Sequence, residues 1–152
     1  MVLLDMLEDI DFLRGLAPEY LGHIAALGQL QEHPPNTVLF REGEGGGHVY
    51  LVSQGEVALE IQVPGQGPMP IRTAGPGELV GWSPLIRQGP MTATARTLTP
   101  CRLIALDVGG MLGLCQRDPA FGMEFIRRTA VALDRRLHGT RLRLLESQGP
   151  QR

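Results

Sequence analysis

The chain contains no lysine, so each of its fourteen basic residues is an arginine. With a formal net charge of −2 and a pI near 6.1, it gives no general case for nucleic-acid binding. Cysteine is scarce as well. Cys101 and Cys115 show no Cys-x-x-Cys spacing and no accompanying histidine cluster, which argues against a zinc site. Both stand in apolar surroundings and read as buried free thiols of a reducing cytoplasm rather than as a disulfide or a redox sensor. No apolar run approaches the roughly 20 residues of a membrane span. The N-terminus carries Asp5, Glu8, Asp9 and Asp11 where a signal peptide needs a basic start. The chain is therefore expected to be soluble and cytoplasmic, with no membrane partner. A Gly-x-Ser-x-Gly elbow, a Walker loop and a Cys-His pairing are all missing, so nucleophilic and phosphoryl-transfer chemistry have no support. The four histidines, His23, His33, His48 and His138, are scattered, and only His48 falls near the expected β region. A metalloenzyme of the cupin sort, which needs histidines and carboxylates converging in one barrel, is a distant alternative, and no metal or cofactor is expected.

What is present suits one domain. A chain of 152 residues, 43% of them hydrophobic, can bury a single good core. Most of its twenty glycines and twelve prolines fall between Pro34 and Pro100, where they imply many short connections. Residues 1–100 hold five arginines against eleven acids, and residues 101–152 hold nine against five. That asymmetry marks either a basic interaction face or solvated helices with local ion pairs.

Hydrophobic periodicity divides the chain in three. Leu4, Leu7 and Ile10, then Leu21, Ile24, Ala25, Leu27 and Leu30, recur at helical spacing interrupted by Gly15 and Pro18, which predicts two short helices in an N-terminal layer over residues 1–33. From Thr37 the period shifts toward two. Runs at 38–40, 49–52, 57–61, 70–73, 78–80, 93–98 and 102–106 predict seven or eight strands without intervening helices, hence an antiparallel jelly-roll barrel over residues 34–107. After Asp107 helical spacing returns. A short helix is expected over 110–115, and Asp118 as N-cap with Pro119 at the first helical position predicts a long helix to about Leu145. Gly139 would weaken that helix by about 1 kcal/mol relative to Ala and could bend it. Ile126, Ala130, Leu133, Leu137, Thr140 and Leu144 form a heptad stripe along it, which suits either a dimer seam or a helix lying on its own barrel. Domain and helical layer end near 146, and residues 147–152 are expected to be a disordered tail.

Several ordered motifs carry a family resemblance. Gly75-Pro76-Gly77-Glu78, then Gly81-Trp82-Ser83-Pro84-Leu85-Ile86, a turn, and Thr92-Ala93-Thr94-Ala95-Arg96 resemble the phosphate-binding cassette of cyclic-nucleotide-binding domains. Val38 to Glu44 is similar to the strand of that family ending in Glu-Gly-(Asp/Glu), and Val49 to Val57 to its (Tyr/Phe)-x-(Ile/Leu)-x-x-Gly-x-(Val/Ile) hairpin. Phe12 to Glu19 is similar to the family's entry segment.

The resemblance implies a β-roll with flanking helices and a candidate ligand site at Gly81, Trp82, Ser83, Pro84, Leu85, Met91, Thr92 and Ala93. Two letters depart from it. Trp82 stands where the family has the glutamate that accepts from the ribose 2′-hydroxyl, and Met91 where it has the arginine that pairs with the cyclic phosphate. The expected function is thus a stand-alone, non-catalytic sensor or regulatory interaction module with a degenerate cassette, not a high-affinity cyclic AMP binder. The alternative is a true cyclic AMP or cyclic GMP receptor that uses backbone amides and the Thr92 hydroxyl. Trp82 either fills the nucleotide space or lines it as a stacking surface. Arg87 and Arg96 are the nearest candidates to replace the lost charge. In the bacterial transcription-factor branch the long helix forms a dimer seam and leads into a helix-turn-helix domain. With the chain ending at Arg152, direct DNA binding is not expected, and a homodimer through Ile126, Ala130, Leu133, Leu137 and Leu144, read out by a protein partner, is.

Overall fold

The computed structural model describes residues 2–87 and 89–148. Helix α1 (Val2–Glu8), a 3-10 turn (Asp11–Leu13) and α2 (Pro18–Leu27) precede the strands. Pro18 opens α2 at a position where its missing amide hydrogen costs nothing. Strands β1 (Gly28–His33), β2 (Val38–Phe40), β3 (His48–Gln54), β4 (Val57–Val63), β5 (Gly67–Ala74) and β6 (Leu79–Val80) follow, then the one-turn helix α3 (Ser83–Ile86), β7 (Thr94–Thr97), β8 (Cys101–Asp107), α4 (Val108–Arg117) and α5 (Pro119–Gln148).

Two four-stranded antiparallel sheets, ordered β1-β8-β3-β6 and β2-β7-β4-β5, form the β-roll. Strands β3 and β8 are central in the first sheet and buried on both faces, which explains their nearly continuous apolar sequences. Alternation sends Val49, Leu51, Ile104 and Leu106 into a core shared with the helices, where Leu7, Ile24, Met111, Phe121 and Phe125 pack. It sends Tyr50, Val52, Leu103 and Ala105 into a second core inside the roll, with Val57, Val80 and Ala95. The β3–β4 turn depends on Gly55, whose φ is +95° and whose missing Cβ would lie 2.5 Å from the Pro100 carbonyl oxygen.

Two expectations need correction. The helical layer does not reach residue 33. It ends at Leu27, and Gly28–His33 is an edge strand pairing from Gly28↔Leu106 to His33↔Cys101. Leu30, three residues beyond Leu27, continued the helical spacing by coincidence, and in the strand it is 41% exposed. At the other end, α5 passes through Gly139 and includes Ser147 and Gln148, with Ser147 Oγ donating to the Leu144 carbonyl at 2.9 Å. The rest of the expected tail, residues 149–152, lies outside the described residues. Asp118 caps α5 as expected, its Oδ1 accepting from the Phe121 amide at 3.1 Å. Asp107 does the same for α4 through the Gly110 amide at 2.8 Å. Among the described residues no helix is long and apolar enough to cross a membrane.

Candidate functional site

The cassette segment follows β6 and folds against the loop between β2 and β3. Gly81 has φ +85°, and a Cβ there would stand 3.0 Å from the Phe40 ring and 3.4 Å from the His48 carbonyl oxygen. Only glycine lets the chain turn so close to its neighbours. Helix α3 then makes one turn, with the Leu85 amide donating to the Trp82 carbonyl at 2.9 Å and the Arg87 amide to the Ser83 carbonyl at 3.0 Å. The family resemblance would aim amides of this turn at a phosphate. Here Leu85 already spends its amide inside the turn, and Pro84 has none to offer.

Met91 is held by its backbone in an antiparallel clasp. Its amide donates to the Glu44 carbonyl and its carbonyl accepts from the Gly43 amide, both at 2.8 Å. Its side chain is only 3% exposed and rests with the Pro84 ring on Gly46. A Cβ at Gly46 would meet Met91 Sδ at 2.5 Å and Pro84 Cγ at 2.7 Å. Gly46 is therefore the point on which thioether and pyrrolidine pack, while Gly45 and Gly47 beside it face open space.

The expected site residues separate into two groups. Gly81, Pro84 and Met91 come together around Gly46 and His48. Leu85 is buried in the helix-side core and the half-buried Trp82 packs against that core. Trp82 thus looks toward the helices, and its nearest packing is not the roll interior. Ser83 is buried, Ala93 is half-buried and Thr92 is exposed. Arg87 is exposed too. Arg96 is committed elsewhere, its Nε 3.3 Å from Glu60 Oε1 and its Nη1 donating to Asn36 Oδ1 at 3.0 Å.

Beside this assembly lies a cleft of about 370 Å³ lined by Leu39, Phe40, Glu44, Gly45, Gly47, His48 and Tyr50. The Phe40 and Tyr50 rings stack at 6.3 Å and 19°, giving the cleft an aromatic wall that reaches Gly81. Burial pushes the Tyr50 phenol pKa up, so at neutral pH its hydroxyl is a neutral donor. The motif comparison singled out neither Phe40 nor Tyr50 as a wall. Their signal was positional, since Phe40 ends one short strand and Tyr50 sits on the inward face of another. Among the described residues no group of three His, Cys, Asp or Glu side chains converges as a metal site. Cys101 and Cys115 are free thiols, Cys101 buried and donating to the Glu56 carbonyl at 3.4 Å.

The long helix leaves its heptad stripe open. Ile126 is 40% exposed, Leu137 49% and Leu144 57%, Ala130 is exposed as well, and Leu133 is half-buried. The buried face is a different one, formed by Phe121, Gly122, Phe125 and Thr129, and it packs on α4 at Cys115 and on the N-terminal segment at Phe12 and Tyr20.

Comparison with known proteins agrees with this architecture. The family described as "Cyclic nucleotide-binding domain" matches residues 30–118. The chain is 32% identical over 130 residues to the Cyclic AMP receptor protein of Thermus thermophilus, covering 86% of this chain and 58% of that protein. It is 23% identical over 131 residues to the CRP-like cAMP-activated global transcriptional regulator of Mycobacterium tuberculosis, with the same coverage of 86% and 58%. The chain thus spans 58% of the length of these relatives. A cyclic nucleotide-binding domain from Methylobacillus flagellatus KT shares the fold, with a TM-score of 0.81 at 21% identity over 98% of this chain and 84% of that one. The β-roll, the cassette frame and these matches lead to one conclusion: the chain belongs to the cyclic nucleotide-binding domain family.

Proposed function

We propose that the chain is a non-catalytic regulatory domain that keeps the frame of the cyclic-nucleotide site and has lost its grip on the cyclic phosphate. The observation that carries this reading is Met91, 3% exposed and packed with Pro84 onto Gly46. A charge-assisted arginine contact is worth about 1.5–3 kcal/mol, and the missing carboxylate at Trp82 removes a further acceptor. Together the losses weaken binding by roughly 10²- to 10⁴-fold. Neither nearby arginine supports a rescue, because Arg96 is bound to Glu60 and Asn36 and the exposed Arg87 lays its guanidinium over Gly89. The ligand cleft under this reading is the aromatic-walled one at Phe40 and Tyr50, suited to a small planar molecule.

Pairing of two copies through Ile126, Ala130, Leu133, Leu137 and Leu144 belongs to the same reading, supported by the exposure of that stripe. Direct DNA binding does not. Arg127 and Arg128 are held by Glu124, and Arg136 by the Leu79 carbonyl, which leaves these guanidinium groups engaged within the chain.

A second reading is a cyclic AMP or cyclic GMP receptor that grips the phosphate through backbone amides and the exposed Thr92 hydroxyl, and the names of the relatives favour it. A thermal-shift titration with cyclic AMP, cyclic GMP and a panel of dinucleotides separates the two. The first reading expects no cyclic AMP shift at micromolar ligand. A saturating shift there that Thr92→Ala removes supports the second.

A further inference from the structure

A larger cleft, of about 540 Å³, opens between α5, the β5–β6 turn and the 3-10 turn near the N-terminus. None of Gly81, Trp82, Ser83, Pro84, Leu85, Met91, Thr92 and Ala93 lines it, although Pro76, Gly77 and Glu78, which lead into the cassette turn, do. Six arginines do: Arg14, Arg72, Arg127, Arg128, Arg135 and Arg136. Only three carboxylates, Asp11, Glu78 and Glu124, face them. Arg14 takes Asp11 at 2.6 Å, and Arg127 and Arg128 divide Glu124 at 3.5 and 2.9 Å. Arg72 and Arg136 divide Glu78, the second at 3.9 Å. Arg135 has no partner among the described residues, and Arg72 Nε is buried without an acceptor.

The arrangement is unbalanced where it is least exposed. The side chains of Arg72 and Arg136 are 24% and 14% exposed, yet they share one carboxylate. Burial first, and then the neighbouring Arg72, pull the Arg136 pKa below its usual value, with Glu78 opposing. Arg136 also donates to the Leu79 carbonyl and Arg128 to the Phe12 and Arg14 carbonyls, so hydrogen bonds are largely met while the charge is not, and Arg72 Nε lacks even an acceptor. An anion entering the cleft would relieve that excess of half-buried charge. Guanidinium groups on three sides of one recess suit a compact ligand with several oxygen acceptors, which each fork can take two at a time.

We propose that this cleft is a second ligand site, separate from the cassette, for a small polyanion such as a phosphorylated metabolite or a polycarboxylate. Its volume falls in the range of ordinary small-molecule pockets. It also remains open if α5 pairs through its heptad stripe. Arg128 and Arg135 follow Ile126 and Leu133 by two residues, about 200° around the helix, so seam and cleft occupy opposite sides.

The test is calorimetric titration of the purified chain with pyrophosphate and, separately, citrate at low ionic strength. Saturable binding at one site per chain is expected, and preference for one probe tells phosphate from carboxylate ligands. Arg135→Ala removes an unpartnered arginine and no internal contact, so it should fold normally and weaken binding by about 10-fold or more. Arg143→Ala lowers the net charge equally at an exposed position outside the cleft and should leave the affinity unchanged. Absence of saturation with both probes would overturn the proposal. So would equal weakening by the two variants, which would mark diffuse attraction to a basic surface, or full affinity in a folded Arg135→Ala protein.

Discussion

Restoring a guanidinium at position 91 should restore affinity for a cyclic phosphate and cost stability in its absence. Met91 is clasped on both backbone sides by the loop of Gly43 and Glu44, so a substitution there changes the side chain without freeing the main chain. Its thioether rests on Gly46, and an arginine built at the same Cα must send its head past that contact into the cleft. Without ligand, the new charge replaces an apolar side chain that is 3% exposed, so it is taken largely out of water. The expected penalty is about 1–3 kcal/mol, or roughly 2–10 °C in melting temperature for a chain of this size. With cyclic AMP the guanidinium gains a charge-assisted contact worth about 1.5–3 kcal/mol, which is roughly 10- to 150-fold in dissociation constant. Calorimetry on Met91→Arg beside Met91→Gln separates charge from size. The glutamine variant should gain little. The reasoning fails if a folded Met91→Arg protein binds cyclic AMP no better than the parent, or if Met91→Gln gains as much.

Three other outcomes follow from the same structure. Gly55→Ala forces a side chain onto a backbone at φ +95° and within 2.5 Å of the Pro100 carbonyl oxygen, so chemical denaturation should show a loss of about 2–4 kcal/mol. Burial raises the Tyr50 pKa, so the stability gained by keeping that phenol neutral is present below about pH 10, the unfolded value, and is lost as pH climbs through the folded one. Tyr50→Phe should therefore flatten the alkaline fall in denaturation midpoint, although Tyr20 and Cys115, whose pKa values are also raised by burial, keep part of it. Leu137→Asp places a charge in the middle of the exposed stripe, and sedimentation at tens of micromolar should show a dimeric parent and a monomeric variant.

The fold was legible wherever both faces of an element had to be buried or a residue type had a single conformational use. The strand segments at 49–52 and 103–106 are apolar at every position because one face meets the helices and the other fills the roll, and no surface helix carries that pattern. Asp118 and Pro119 predicted the start of α5 to the residue. Strand β1 was hidden for the opposite reason. Gly28–His33 is mostly polar and lies at a sheet edge, so pairing with β8 decides its state and its own hydrophobic pattern says little. At the site, the sequence identified the two departures from the family cassette but not what replaces the missing chemistry. Trp82 was open to two readings because a half-buried indole packs as well beside the roll as inside it, and only tertiary structure turns it toward the helix-side core. The contact of Met91 with Gly46 joins residues 45 positions apart, beyond the reach of any local pattern. Arg96 shows the same limit: the sequence offered it as a substitute charge, while Glu60 and Asn36, which hold it, come from other segments.

The central claim is that this cassette keeps its frame without its grip, and calorimetric titration of the unmodified chain with cyclic AMP tests it most directly. A dissociation constant well above micromolar, or no measurable heat from a folded protein, is the predicted result. A complex of micromolar affinity or tighter would contradict it, since it would mean that backbone amides and Thr92 suffice without the side chains that Trp82 and Met91 replace.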